Sequence, residues 1–206
     1  MRAIVIAGGT IGSPAFYKSI IEPADRVICA DSGYINAAKI GIVPDLVIGD
    51  FDSSERSGVP EGVPVRVLPV EKDRTDLHEC LVTAMEEGAT EIVVFGARGS
   101  RLDHSMAAIS LLRLGLEQGV TIRLVDECNE VFLVDKEAVI PRKEGYKLSL
   151  MPMTPAKGIS TEGLYYALQD AEMDWGNPYG VSNEFIVETA KITVKEGVLM
   201  VMISRD

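Results

Sequence analysis

Six short apolar runs, at residues 3–7, 26–30, 46–48, 65–68, 91–95 and 121–125, alternate with helical patterns and restrict this chain to few folds. Runs this short, rich in Val and Ile, fit strands buried on both faces. Helical patterns fill the gaps. Residues 14–21 follow Ser13, a favoured N-cap, and place Pro14 at the first helical position. Residues 32–39 stop at Gly41, residues 75–87 at Gly88 and residues 102–118 at Gly119. A β-α-β-α order of this kind implies a parallel sheet with helices on its faces.

The pattern changes near Cys128. Beyond it the helical period vanishes and short β-like runs follow at 130–134, 138–140, 147–151, 159–161, 164–167, 191–194 and 198–203. Lys195-Glu196-Gly197 predicts a hairpin between the last two. The chain therefore divides into an α/β domain at residues 1–128 and an all-β sandwich at residues 129–206. With 47% hydrophobic residues in 206, there is ample material for cores. A net charge of −11 argues against nucleic-acid or anionic-membrane partners, because both present phosphate fields. No apolar stretch reaches the roughly 18 residues of a membrane span. The N-terminus lacks the pattern of a signal peptide. Cys29, Cys80 and Cys128 form no CxxC pair and read as reduced thiols. Together these features predict a cytoplasmic protein.

In an open parallel sheet, ligands bind beyond the carboxyl ends of the strands. The first strand leads to Gly8-Gly9, which lets backbone approach a ligand. The second leads to Asp31-Ser32-Gly33 and the third to Gly49-Asp50-Phe51-Asp52. The fourth leads to Lys72-Asp73-Arg74-Thr75-Asp76 and the fifth to Arg98-Gly99-Ser100-Arg101-Leu102-Asp103-His104. In an extended segment, Asp50 and Asp52 point the same way and Phe51 points into the core. Two such carboxylates repel unless a cation lies between them, and hard oxygen ligands suit Mg²⁺. The alternative is a solvated acidic turn. Asp76, with Glu79 three residues on, is either the N-cap of a capping box or a group facing the sheet edge. From the same turn, Asp73 and Thr75 are within reach of phosphate or metal. Arg98, Gly99 and Arg101 before a helix make an anion site.

These segments, with Pro44-Asp45-Leu46-Val47-Ile48-Gly49-Asp50-Phe51-Asp52-Ser53 and Gly180-Val181-Ser182-Asn183-Glu184-Phe185, resemble the thiamine pyrophosphokinase family in order and spacing. The resemblance implies a Rossmann-like α/β domain that binds ATP and catalyses, and a β-sandwich that binds thiamine. It implies transfer of the diphosphate of ATP to the thiamine hydroxyl, with release of AMP, by a homodimer with thiamine near the subunit interface. By the same resemblance Asp50, Asp52 and Asp76 are Mg²⁺ ligands, with Asp103 and Arg101 completing the catalytic set. Gly8, Gly9, Asp31, Ser32, Gly33, Asp73, Thr75, Arg98 and Gly99 fall to ATP. Tyr166, Ser182 and Asn183 fall to thiamine. The general base is either Asp103 or Asp73. Two rival readings are a phosphohydrolase with Asp50 as nucleophile and a nucleotide sensor without catalysis.

Overall fold

The alternating runs form the strands of one sheet because their side chains are covered from both sides. The computed structural model describes residues 1–51, 56–177 and 179–206. It separates into two compact units, Met1–Glu127 and Cys128–Asp206.

In the first unit, the strands β1 (Arg2–Ile6), β2 (Arg26–Ala30), β3 (Leu46–Gly49), β4 (Val65–Val67), β5 (Glu91–Phe95) and β6 (Thr121–Val125) pair in parallel, in the order β4-β3-β2-β1-β5-β6. The order reverses between β1 and β5. That switch point opens a crevice at the carboxyl edge, where loops diverge to opposite sides. The helices are α1 (Pro14–Ile20), α2 (Gly33–Ile40), α3 (Asp76–Glu86) and α4 (Leu102–Gln118). Ile4, Ile6, Cys29, Val47, Val93 and Phe95 project from the sheet into one core with Tyr17 of α1 and Tyr34, Ala37 and Ile40 of α2. Helix α3 buries Cys80, Leu81, Thr83 and Ala84 on one face. Gly41 and Gly119 end α2 and α4 in the left-handed conformation. Ser13 stands at the N-cap of α1 without a capping side-chain bond. Its backbone N–H instead donates to the Glu127 carboxylate at 2.8 Å.

The second unit is antiparallel throughout. Strands β7 (Asn129–Val134) and β9 (Lys147–Pro152) flank β13 (Leu199–Ser204). A second sheet runs β11 (Ala171–Met173), β10 (Ala156–Glu162), β12 (Thr189–Thr193), β8 (Glu137–Pro141). Phe132, Leu148, Leu150, Val201 and Ile203 of the first sheet share a core with Ile140, Ile159, Ala190 and Ile192 of the second. This is the expected sandwich. The expected terminal hairpin is absent: β12 pairs with β10 and β8, whereas β13 pairs with β7 and β9. Lys195-Glu196-Gly197 carries the chain from one sheet to the other. Gly197 lies so close to Pro155 that an added Cβ would sit 2.3 Å from its carbonyl oxygen. Residues 164–167 form no strand; Leu164 makes an isolated bridge to Phe185. Strand β11 is three residues long and carries no readable alternation in the sequence.

Candidate functional site

Close backbone approaches draw the loops after β1, β2, β3 and β5 to one edge. Gly49 abuts Asp31, whose Cα lies 2.8 Å from where a Cβ on residue 49 would stand. Gly33 abuts the Ile6 carbonyl, so α2 starts hard against β1. A Cβ on Gly8 would instead meet a side chain, the Ser32 Oγ, at 2.1 Å. Across the switch point, the Gly9 N–H donates to the Gly96 carbonyl at 2.9 Å and the Thr10 N–H to the Arg98 carbonyl at 2.6 Å. Asn36 of α2, buried, donates from its amide nitrogen to the carbonyls of Ala7 and Gly9, each at 2.8 Å. It clamps the turn that contains Gly8, and its own Oδ1 accepts from Lys39 at 3.2 Å. Asp31 holds a left-handed backbone, φ +44°, at the end of β2. Strain of this kind in a non-glycine residue concentrates at functional sites.

Phe51 also has positive φ, +57°, and packs against the core of the first unit. The chain therefore turns immediately after Asp50. The alternation rule that aligned Asp50 with Asp52 assumed extended backbone and does not apply across this turn. Asp52, with Ser53 and Ser54, lies outside the described residues.

Asp50 meets Asp76 through a lysine. The Lys72 ammonium donates to Asp50 Oδ2 and lies 3.1 Å from Asp76 Oδ1, with all three side chains largely buried. Asp76 Oδ1 itself is fully buried and accepts no hydrogen bond of good geometry. Burial raises the Asp76 pKa; the Lys72 ammonium opposes this, while Asp50 and Asp31 push it further up. Asp31, Asp50 and Asp76 are thus electrostatic neighbours, brought from three loops. Burial works to lower the Lys72 pKa, but the Asp50 and Asp76 carboxylates outweigh it and hold the ammonium charged. Asp76 does not cap its helix. Thr75 does, accepting from the His78 N–H at 3.2 Å, which leaves Asp76 in the first helical turn free to face the sheet edge. Asp73 is exposed in the same loop.

The guanidinium groups expected at an anion site are engaged with carboxylates. Arg98 pairs with Asp126 at 3.0 Å, and Arg101 forks onto Asp103 at 3.2 and 2.6 Å. The Arg101–Asp103 pair stands in solvent at the start of α4, with Gly99 exposed beside it. The Arg101 hydrogen bond lowers the Asp103 pKa to about 2, helped by the His104 N–H. A carboxylate that acidic is a weak base near neutral pH.

In the second unit, Asn183 is buried and holds the backbone of Tyr166 at both ends. Its Oδ1 accepts from the Tyr166 N–H at 2.9 Å, and its Nδ2 donates to the Tyr166 carbonyl at 2.8 Å. The amide thus orients the Tyr166 segment. Tyr165 and Tyr166 stack edge to face at 4.9 Å, and both rings are exposed. Ser182, with φ +61°, is exposed and donates its N–H to Ser149 Oγ at 3.0 Å.

Lys72 and Asn36 had no assigned role in the sequence reading. Lys72 carried one usable signal, its i,i+4 spacing to Asp76. Asn36 carried another, as a polar residue on the apolar stripe of a short helix.

Residues 17–124 match the family model described as "Thiamin pyrophosphokinase, catalytic domain", and residues 135–199 match "Thiamin pyrophosphokinase, vitamin B1 binding domain". A protein of Bacillus subtilis named thiamine pyrophosphokinase is 31% identical over 98% of this chain and 98% of its own length. Thiamine pyrophosphokinase 1 of Oryza sativa is 32% identical over 87% of this chain and 79% of its own. The crystal structure of the Bacillus subtilis thiamine pyrophosphokinase superposes with a TM-score of 0.92 at 26% identity, covering all of both chains. That of thiamin pyrophosphokinase from Candida albicans, at 18% identity and a TM-score of 0.78 over 89% of its chain, shares the fold.

Proposed function

The chain belongs to the thiamine pyrophosphokinase family, and from that premise we propose that the carboxyl edge of its parallel sheet binds ATP and carries the transfer. The reaction moves a diphosphate group to the hydroxyl of thiamine. The hydroxyl oxygen bonds to the β-phosphorus of ATP, the bond to the α-phosphate oxygen breaks, AMP leaves, and the hydroxyl proton is lost to a base. The observation that carries the placement is the meeting of Asp50 and Asp76 at one largely buried ammonium, with Asp31 an electrostatic neighbour of Asp76.

Displacement at phosphorus needs positioning and charge stabilisation more than covalent work by the protein. Asn36 keeps the Gly8–Gly9 turn in place at the switch point, where the phosphates would lie. Ser32, Gly33 and Asp31 line the adjacent loop. Arg101 leaves its solvent-exposed Asp103 partner for the triphosphate at low cost, since exposed ion pairs are worth at most about 1 kcal/mol, whereas Arg98 starts from a pair with the largely buried Asp126. Asp103 holds Arg101 until the triphosphate arrives, and the proton falls to Asp103 or Asp73.

The described residues fit a magnesium ion. Asp50 and Asp76 present hard oxygens, one of them buried without a hydrogen bond, and Mg²⁺ commonly takes one or two carboxylates together with substrate phosphates. Asp50 and Asp76 would hold it, with Asp52 two residues after Asp50. When bound, the ion neutralises phosphate charge. The first unit is then the ATP-binding catalytic domain and the second the thiamine domain, where Tyr166 stacks on the thiazolium cation and Ser182 and Asn183 lie against the ring system. Tyr165, Tyr166, Trp175, Ile186 and Val187 are exposed on this unit, which supports a homodimer with thiamine near the subunit interface. No helix among the described residues is long and apolar enough to cross a membrane, and a cytoplasmic location accords with that.

The test is to incubate the purified chain with ATP, Mg²⁺ and thiamine and to separate the products. Equal amounts of AMP and thiamine diphosphate, abolished by EDTA, are expected. Phosphate release without thiamine would instead indicate a hydrolase, and nucleotide binding without turnover a sensor. Sedimentation of the same sample reads the oligomeric state.

A further inference from the structure

We propose that Lys72 is a built-in counter-ion that competes with the divalent cation for the same oxygen atoms, and that cation loading moves its ammonium from the carboxylates to the polyphosphate. The inference rests on the placement of Mg²⁺ at Asp50 and Asp76. The two atoms involved are Asp50 Oδ2, to which Lys72 donates, and Asp76 Oδ1, 3.1 Å from Nζ. Asp76 Oδ1 is the buried oxygen that has this ion pair but no hydrogen bond. A hard cation takes such oxygens at about 2.0–2.1 Å, a distance that leaves no room for an ammonium on the same lone pairs. Two cations at contact distance also repel.

Lys72 is built to yield. It lies in the connection between β4 and α3, outside regular structure, so its stem can swing without breaking a helix or a ladder. An ammonium is a compact point charge on a flexible four-carbon stem and binds phosphate without the fixed geometry a guanidinium demands. Its short reach confines it to the neighbourhood of Asp50 and Asp76, which is where the phosphates of a bridged nucleotide would stand. Lys72 thus keeps two buried carboxylates compensated until the metal–nucleotide arrives, and then contributes positive charge to the transferred group.

Mn²⁺, followed by its electron paramagnetic resonance signal, is titrated into nucleotide-free protein for the parent chain, Lys72→Met and Asp50→Asn. Removing the competing charge should tighten Mn²⁺ binding by about tenfold in Lys72→Met. Turnover at saturating metal should fall by about 10- to 100-fold, since a donor to developing charge is lost. Asp50→Asn should weaken Mn²⁺ binding. Unchanged or weaker binding by Lys72→Met, with Asp50-dependent binding in the parent, overturns the role of Lys72 and leaves the metal placement standing. Binding that ignores Asp50 overturns both. A second measurement needs no variant: acylation of Lys72 in the parent protein, read by mass spectrometry, should rise several-fold when Mg²⁺ is added alone. Constant labelling refutes the displacement even if Lys72→Met fails to fold.

Discussion

Gly33 offers a quantitative test of how the site is assembled. It opens α2 directly against the end of β1, and a Cβ on this residue would stand 1.9 Å from the Ile6 carbonyl oxygen, 2.8 Å from its carbon and 3.3 Å from the Ala7 Cα. Side-chain Cβ atoms essentially never come closer than 3.0 Å. Both partners are backbone, so no rotamer change relieves the clash, and Gly33→Ala must push α2 from β1 by roughly 1 Å. Overpacking of this kind costs about 1–3 kcal/mol. The same displacement lengthens the two 2.8 Å bonds from Asn36 to Ala7 and Gly9, adding about 1 kcal/mol for each bond lost. A total near 3–5 kcal/mol corresponds to a fall in Tm of about 6–20 °C for a chain of this size. Misplacing the Gly8–Gly9 turn by about 1 Å should lower kcat/KM for thiamine diphosphate formation by ~10²-fold. Calorimetry and the coupled assay read the two effects. Gly62→Ala is the control: Gly62 has φ +84° with nothing within 4 Å of a new Cβ, so only backbone strain of about 1 kcal/mol is expected, with activity retained. A Gly33→Ala protein that melts and turns over like the Gly62→Ala protein would refute the steric reasoning.

Two further outcomes follow from the electrostatics. Arg26 holds the Glu87 carboxyl below its ordinary value of 4.5 through a 2.8 Å bond. A depressed carboxylate pKa adds stability above the unfolded value and loses it as the pH falls through the folded one. Glu87→Gln should therefore lose at most about 1 kcal/mol at pH 7, the pair being partly exposed, and urea melts of the two proteins should converge as the pH drops below 4.5. Equal stability at pH 7 would remove the effect. Burial raises the pKa of Cys29 and Cys80, and the thiolate is the reactive form, so a disulfide reagent at mild alkaline pH should label Cys128 first. Labelling of the other two should wait for denaturant; equal rates for all three would contradict their burial.

The placement of each strand and helix in the first unit was legible because the signals are local. A run such as Arg26–Ala30 is apolar on both faces whatever it pairs with, and Gly119 ends α4 through its own backbone. The motifs at the strand ends were legible for the same reason, since a parallel sheet brings its carboxyl ends to one edge. Capping was less secure: Thr75 and Asp76 are both capable, and the choice of Thr75 freed Asp76 for the site.

Sequence by itself determined the α/β alternation, the change to an all-β unit and the set of loops that carry the carboxylates, since each depends on residues within one turn or one strand. Tertiary structure alone decided three things. It sent β12 and β13 to different sheets, because a strand pairs where both its faces are buried and not merely with its neighbour in the chain. It gave Arg98 a carboxylate partner 28 residues away, Asp126. It set the Lys72 ammonium between Asp50 and Asp76, because buried carboxylates from separate loops need a shared counter-charge, and the local i,i+4 spacing of Lys72 to Asp76 does not record that Asp50 joins them.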